Sequence, residues 1–356
     1  MNMRNDWGPE LPAPHRHESA VRELADLLED ARGQLRLSAP CDADGPLAVI
    51  GVAILPRWRQ LVGAAANAAR ALRDNSDEFD RCRRLARSRL LPLLIEGPIW
   101  HRAYHKPRGY PGDYGVMNFV YDQTDEGTDL YARLCHRLGL EVGACVRTRL
   151  QFVVDELAAR MGVTGPPLRV LSLGCGSARE IAPAIARGAP RRRVELTLLD
   201  QDPEALDAAR RAVEPAVASC RGGPFDIRYA RVAFGHLLRD AGLAQQWPKQ
   251  DVLYCMGLLD YVPNEQFQRL VSALLSLVTD GGTLILGNMK EPSDTFWALD
   301  FILDWPLAYR TERAMLDLAA SLPACRAELL LEETGNNFVL KLHRVDANPR
   351  QSPHKS

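Results

Sequence analysis

Two glycines one residue apart, Gly174 and Gly176, interrupt the apolar run Leu168-Arg-Val-Leu-Ser-Leu173 and precede a helical pattern over Ala182–Ala186. Glycine lets a backbone turn tightly and approach a ligand, and a helix that begins there points unpaired N–H groups at it. A second apolar run, Val194-Glu-Leu-Thr-Leu-Leu-Asp200, ends in an acid that can accept hydrogen bonds from both hydroxyls of a ribose. This spacing predicts a strand–loop–helix–strand unit for a nucleoside. A dinucleotide fingerprint would carry a third glycine where Ser177-Ala178-Arg179 stands, and Arg179 and Glu180 would crowd a pyrophosphate. The bland alternative is that the two glycines only make a turn. A second concentration of reactive side chains is Trp100–Tyr121, with four tyrosines, two histidines and Arg108 among two prolines and three glycines. No continuous helix can cross such a stretch, and its polar groups have no evident packing use. It reads either as a lid facing a ligand or as an aromatic plug.

The elements that must position these residues follow from periodicity. Amphipathic helices are expected over 18–33, 58–73, 76–96 (opened by Asn75-Ser76), 126–137 and 139–160. After Pro166-Pro167 the pattern turns α/β, with strands at 169–173, 195–200, 226–232, 251–255 and 283–287. Helices are expected between them near 178–187, 203–213 and 264–278. Ala327–Glu332 and Asn337–His343, joined by Glu333-Thr-Gly-Asn336, read as a hairpin. The expected organisation is a flexible arm over 1–17, a helical cap over 18–165 with its lid segment at 100–121, an α/β domain over 166–345, and a flexible tail over 346–356.

A length of 356 residues with 46% hydrophobic content supports a large core. The formal net charge of -1 gives no general attraction to nucleic acid or to an anionic membrane. Arginines are interspersed with Asp and Glu and form no basic block. Eight scattered cysteines without C-x-x-C spacing suit a reducing, cytoplasmic setting, with no metal site expected. The first residues lack a signal-peptide pattern, and no apolar run reaches membrane-spanning length.

Leu173-Gly-Cys-Gly176 followed by Asp200-Gln-Asp-Pro-Glu-Ala-Leu206 resembles the cofactor motifs of class I S-adenosylmethionine-dependent methyltransferases. Three longer segments resemble one subgroup, the 3-hydroxypalmitic acid methyl ester (extracellular factor) synthases, with methionine S-methyltransferases as a related neighbourhood. They are Lys106-Pro-Arg-Gly-Tyr-Pro-Gly-Asp-Tyr114 with Met117-Asn118, Asp251–Pro263, and Gly287-Asn288-Met with Asp304–Arg310. The resemblance spans about residues 100–343 and departs from the general pattern at Ser172, where an acid is usual, and at Ala178. It implies a Rossmann-like sheet, parallel with a C-terminal antiparallel hairpin, under a mainly helical cap. It implies S-adenosylmethionine as cofactor, with Gly174, Cys175 and Gly176 at the methionine part, Asp200 at the ribose, and Gln201 with Val232-Ala233-Phe234 at the adenine. Cys255-Met256-Gly257 would form the floor beside the sulfonium.

Methyl transfer is an in-line displacement in which the chain has mainly to orient the acceptor and exclude water. A carboxylate or thioether acceptor needs no base, whereas a hydroxyl or amine does. Arg108 and Arg310 are candidates to grip a carboxylate, with Tyr114, Asn288, Trp305 and Tyr309 as walls and donors. Tyr110, Asp113 and Tyr261 are the candidates for catalysis, and Asp113 or Asp260 could receive an ammonium. For Arg310 a surface ion pair with Glu312 or Asp304 is an equal alternative. The expected partners are a small-molecule methyl acceptor and, as an open option, a second copy of the chain. The expected reaction is O-methyl ester formation on a hydroxy-acyl substrate. S-methylation of an amino acid and a catalytically silent regulatory module are the alternatives.

Overall fold

The computed structural model describes residues 11–37, 45–221, 223–233, 246–322 and 325–345. The chain divides into two compact units: Met1–Ala144 with Ser293–Leu307, and Cys145–Pro292 with Ala308–Ser356.

The first unit is helical: α1 (Ala13–Leu37), α2 (Gly45–Arg70), α3 (Ser76–Leu94), α4 (Pro98–His105), α5 (Tyr114–Asp122) and α6 (Leu130–Val142). Helix α1 buries Val21, Leu24, Leu28 and Leu35, a stripe at helical spacing. It starts at Ala13, inside the stretch expected as an arm. The reason is His17, which is fully buried and accepts a hydrogen bond from Trp297 Nε1 at 2.9 Å. Burial, with the Arg81 charge adding, lowers this imidazole to about 4, so it stays neutral. The expected cap of α3 is present, with Asn75 Oδ1 accepting from Glu78 N at 3.3 Å. The glycine–proline segment breaks the helix as expected, yet short helices α4 and α5 flank the break.

The second unit opens with α7 (Ala144–Met161), whose first residue belongs to the helical unit, and holds a seven-stranded sheet. Its strands are β1 (Leu168–Leu173), β2 (Val194–Asp200), β3 (Phe225–Arg231), β4 (Gln250–Cys255), β5 (Val278–Met289), β6 (Cys325–Leu331) and β7 (Asn337–Arg344). Its order is β3-β2-β1-β4-β5-β7-β6, with β1 to β5 parallel and β7 antiparallel to both β5 and β6. Helices α8 (Ile181–Gly188), α9 (Pro203–Ser219), α10 (Asn264–Ser276) and α11 (Glu312–Ala320) complete it. The central strand β1 is covered on both faces, so it reads as an apolar run, while the edge strands β3 and β6 carry exposed charged positions. One face packs Val153, Val154, Leu157 and Met161 of α7 with Ile181 and Ile185 of α8 on the sheet. The other face packs α10 and α11. Each fully buried Leu or Val of this kind contributes roughly 2 kcal/mol.

This is the Rossmann-like sheet with an antiparallel hairpin that the sequence leads one to expect. One long excursion was not foreseen. The chain leaves β5, contributes Ser293–Leu307 to the helical unit and returns at Ala308. Within the helical unit that excursion is held by Arg70 on Ser293 O (3.1 Å) and Asp294 (3.0 Å), Arg83 on Asp300 (3.4 Å) and Arg87 on Asp304 (2.9 Å). These partners lie more than 200 positions apart, beyond the reach of any local pattern.

Candidate active site

In a sheet of this order the chain crosses to opposite faces from β1 and β4, which leaves a crevice outside their carboxyl ends. The loop from β1 occupies it. Gly174 has φ +70°, and a Cβ there would lie 2.7 Å from Leu258 of the β4 loop, so the two strand ends meet through a hydrogen atom. Gly176 has φ +52° with open space where a Cβ would be. Ala178 takes φ +47° and is buried. The third turn position is therefore left-handed as a glycine would make it, and an alanine bears the strain.

Asp200, the last residue of β2, is 9% exposed. Its Oδ2 accepts from Gly176 N at 2.8 Å and its Oδ1 from Asp202 N at 3.0 Å, which ties the glycine loop to β2. Burial pushes its carboxyl up, opposed by these amide bonds. Gln201 follows it, half-buried, with its carbonyl accepting from Arg231 Nε at 3.1 Å. Ala233 is exposed just beyond β3, and Phe234 lies outside the described residues. Cys175 is buried, and burial pushes its thiol well above the ordinary range. Cys255 ends β4, fully buried, and burial pushes its thiol up to about 12. Ser172, where the resemblance would place an acid, is buried beside the Tyr254 hydroxyl, which donates to Glu180 Oε1 at 2.6 Å. Glu180 is thus directed into the protein, and burial pushes its carboxyl up.

At the ends of β4 and β5 a second polar cluster is built. Asp260 Oδ1 accepts from Met289 N at 2.6 Å, and its carbonyl accepts from Ala308 N at 2.7 Å. Burial pushes the carboxyl of Asp260 up, with Arg149 opposing. Arg310 is 3% exposed, donates to Leu259 O (3.1 Å), Val262 O (2.6 Å) and Asn288 Oδ1, and stacks on Phe267 with its guanidinium 3.6 Å from the ring centre. Burial lowers this guanidinium to about 10. Asn288 Nδ2 in turn donates to Met289 O (2.8 Å) and Ala308 O (3.1 Å). Neither expectation for Arg310 describes this: it makes no surface ion pair, and its donors close the neck where the chain leaves β5 and returns. Tyr309 sits half-buried beside it, and Tyr261, 38% exposed, ends a short 3₁₀ turn. Arg149, one turn before Val153 on the buried face of α7, is a site residue that the sequence pattern does not single out. It is buried, and its Nη1 lies 3.8 Å from Asp260 Oδ2.

In the helical unit, the candidates of the glycine–proline segment form their own group. Asp113 is buried as the cap of α5, with Oδ1 accepting from Gly115 N (2.9 Å), Val116 N (3.0 Å) and Arg102 Nε (2.7 Å). That is the geometry of a structural cap. Tyr114 lies under the Arg102 guanidinium at 5.7 Å, and Arg108 and Tyr110 are half-buried. Trp305 is buried against Gly112, φ +68°, where a Cβ would lie 2.3 Å from its ring. It belongs to this unit and not to the α/β domain expected over 166–345. Among the described residues no group of three or more His, Cys, Asp or Glu is gathered, and no helix is long and apolar enough to cross a membrane.

No family model matches the chain, and no curated protein matches it. Solved structures resemble it in part. A possible exported protein from Bordetella parapertussis is 17% identical, over 94% of this chain and 99% of that one, with a TM-score of 0.48. Magnesium protoporphyrin IX methyltransferase from Synechocystis, with bound SAH, is 17% identical over 68% and 97%, with a TM-score of 0.46. An O-methyltransferase family protein from Burkholderia thailandensis is 15% identical over 94% and 96%, with a TM-score of 0.44. At such distances the functional reading rests on the residues of this chain.

Proposed function

We propose that the chain is an S-adenosylmethionine-dependent methyltransferase acting on a small, carboxyl-bearing molecule, with O-methyl ester formation on a hydroxy-acyl acceptor as the reaction. The observation that carries the first part is the glycine loop of β1 bonded to Asp200 at the end of β2, in a sheet of this order. The cofactor, when bound, supplies a methyl group on a sulfonium. Asp200 would accept from its ribose hydroxyls, and the turn Gly174–Gly176, where glycine lets the backbone come close, would lie along its amino-acid arm. The chain's own contribution is then to hold the acceptor oxygen in line and keep water out.

An acceptor that surrenders no proton is supported by the state of the two acids. Asp113 caps a helix and Asp260 holds the Met289 amide, each through its Oδ1, so each carboxylate has a structural task within the protein. A carboxylate nucleophile asks nothing of them. Arg310 serves the protein's own carbonyls, and Arg108, with Tyr110 and Tyr114 of the same segment, is proposed to meet the acceptor.

Incubation with S-adenosylmethionine and a panel of hydroxy fatty acids and amino acids, read by mass spectrometry, tests the proposal. A fatty-acid methyl ester is expected. An S-methylated amino acid would establish the alternative, and binding of S-adenosylhomocysteine without any product would mark a silent module. Arg108→Lys sharpens the result. Methylation of a carboxylate tolerates the loss of a tight guanidinium clamp, since clamping weakens the nucleophile, so turnover should change by less than roughly tenfold. A much larger loss would favour an anchored carboxylate with another atom attacked.

A further inference from the structure

Arg149 carries a charge that the protein does not fully answer. Its side chain is 7% exposed, yet Asp260 is 3.8 Å away, beyond hydrogen-bond distance, with its other oxygen engaged by Met289 N. The side-chain amide of Asn337, oriented by its neighbours, accepts from Nη1 at 2.9 Å. Among the described residues Nε and Nη2 donate no hydrogen bond, the contacts of this guanidinium running through Nη1. A guanidinium has five N–H donors, so several remain to meet a ligand.

The place is informative. Nη2 lies 3.4 Å from where a Cβ on Gly257 would be, so the guanidinium rests on the bare backbone just past the carboxyl end of β4. The next residue, Leu258, is the one that meets Gly174. Arg149 therefore stands at the strand-switch crevice, on its β4 side, while Asp200 stands on its β2 side with β1 between. Two strand spacings are roughly 10 Å. A nucleoside whose ribose is held by Asp200 and whose arm runs across the β1 loop brings the far end of that arm to Arg149.

We infer that Arg149 is a binding residue for the α-carboxylate of the nucleoside amino acid that occupies this crevice, gripping it through Nε and Nη2. The inference rests on the cofactor reading above and adds to it a residue outside the glycine motif. A planar fork suits a carboxylate at two points, and lysine cannot reproduce it.

Calorimetry with two probes tests this: S-adenosylhomocysteine, and 5′-methylthioadenosine, which keeps the nucleoside and thioether but has no carboxylate. Arg149→Lys, which keeps a cation beside Asp260, should weaken S-adenosylhomocysteine roughly tenfold, and Arg149→Gln more, with 5′-methylthioadenosine within about twofold of wild type for both. Retained 5′-methylthioadenosine affinity also reports that the variants fold. Equal loss of both probes, or unchanged S-adenosylhomocysteine affinity, would overturn the assignment and leave the cofactor reading standing. Failure of the wild-type protein to bind S-adenosylhomocysteine at all would overturn both.

Discussion

Asp200 and Asp260 are two acids at the carboxyl ends of β2 and β4, both buried, and burial pushes both carboxyls up. Their partners differ. Asp200 faces amides of its own neighbourhood, Gly176 and Asp202, in a turn that glycine conformations hold open. The carboxylate of Asp260 faces groups brought from elsewhere, the Met289 amide of β5 and the Arg149 guanidinium of α7, while its main-chain carbonyl accepts from the Ala308 amide of the returning chain. The first acid has its remaining lone pairs beside a crevice. The second is part of a neck with Asn288 and Arg310, which bond to one another and to backbone carbonyls. Residue type alone therefore does not separate a ligand-facing acid from a structural one. What separates them is whether the amides they bind come from a ligand loop or from the ends of the sheet.

The largest expected effect attacks the neck. Arg310→Ala removes donors from Leu259 O, Val262 O and Asn288 together and should cost about 3–5 kcal/mol in urea unfolding. A loss under about 1 kcal/mol would show that the neck is not what holds the β4 and β5 ends. On the other side of the comparison, Asp200→Ala should leave the protein folded by circular dichroism and weaken S-adenosylhomocysteine by about 2 kcal/mol, roughly 30-fold. An unchanged dissociation constant would end the ribose assignment.

A pH series separates the two acids further. Because burial raises the carboxyl of Asp200, it takes up its proton at a higher pH than an exposed aspartate would. The protonated group loses acceptor capacity, so S-adenosylhomocysteine affinity should fall as pH is lowered through that raised value. In Asp200→Asn this dependence should be absent, and a variant with the wild-type pH profile would assign it to another group. The smallest effect is at the strained turn. Ala178→Gly should gain about 0.5 kcal/mol by relieving the left-handed alanine, less the entropy that glycine adds to the unfolded chain. A clear loss in thermal unfolding would mean that the alanine methyl packs better than its backbone suffers.

The sequence determined the sheet and its ligand loop because both are local. Six of the seven strands were expected within two residues of where they lie; β5 was expected only in its second half. Gly174, Gly176 and Asp200 each act through the backbone conformation or position of their own segment. The Asn75 cap and the Glu333–Asn336 turn were readable for the same reason. Tertiary structure alone decided the rest, because long-range pairing leaves no periodic trace. It made Arg310 and Asn288 a buried pair, took Trp305 with the excursion into the helical unit, and turned Asp113 into a helix cap. Arg149 shows the limit most plainly: in sequence it is one arginine among several on a long helix, and only the fold lays its guanidinium on Gly257 at the end of β4.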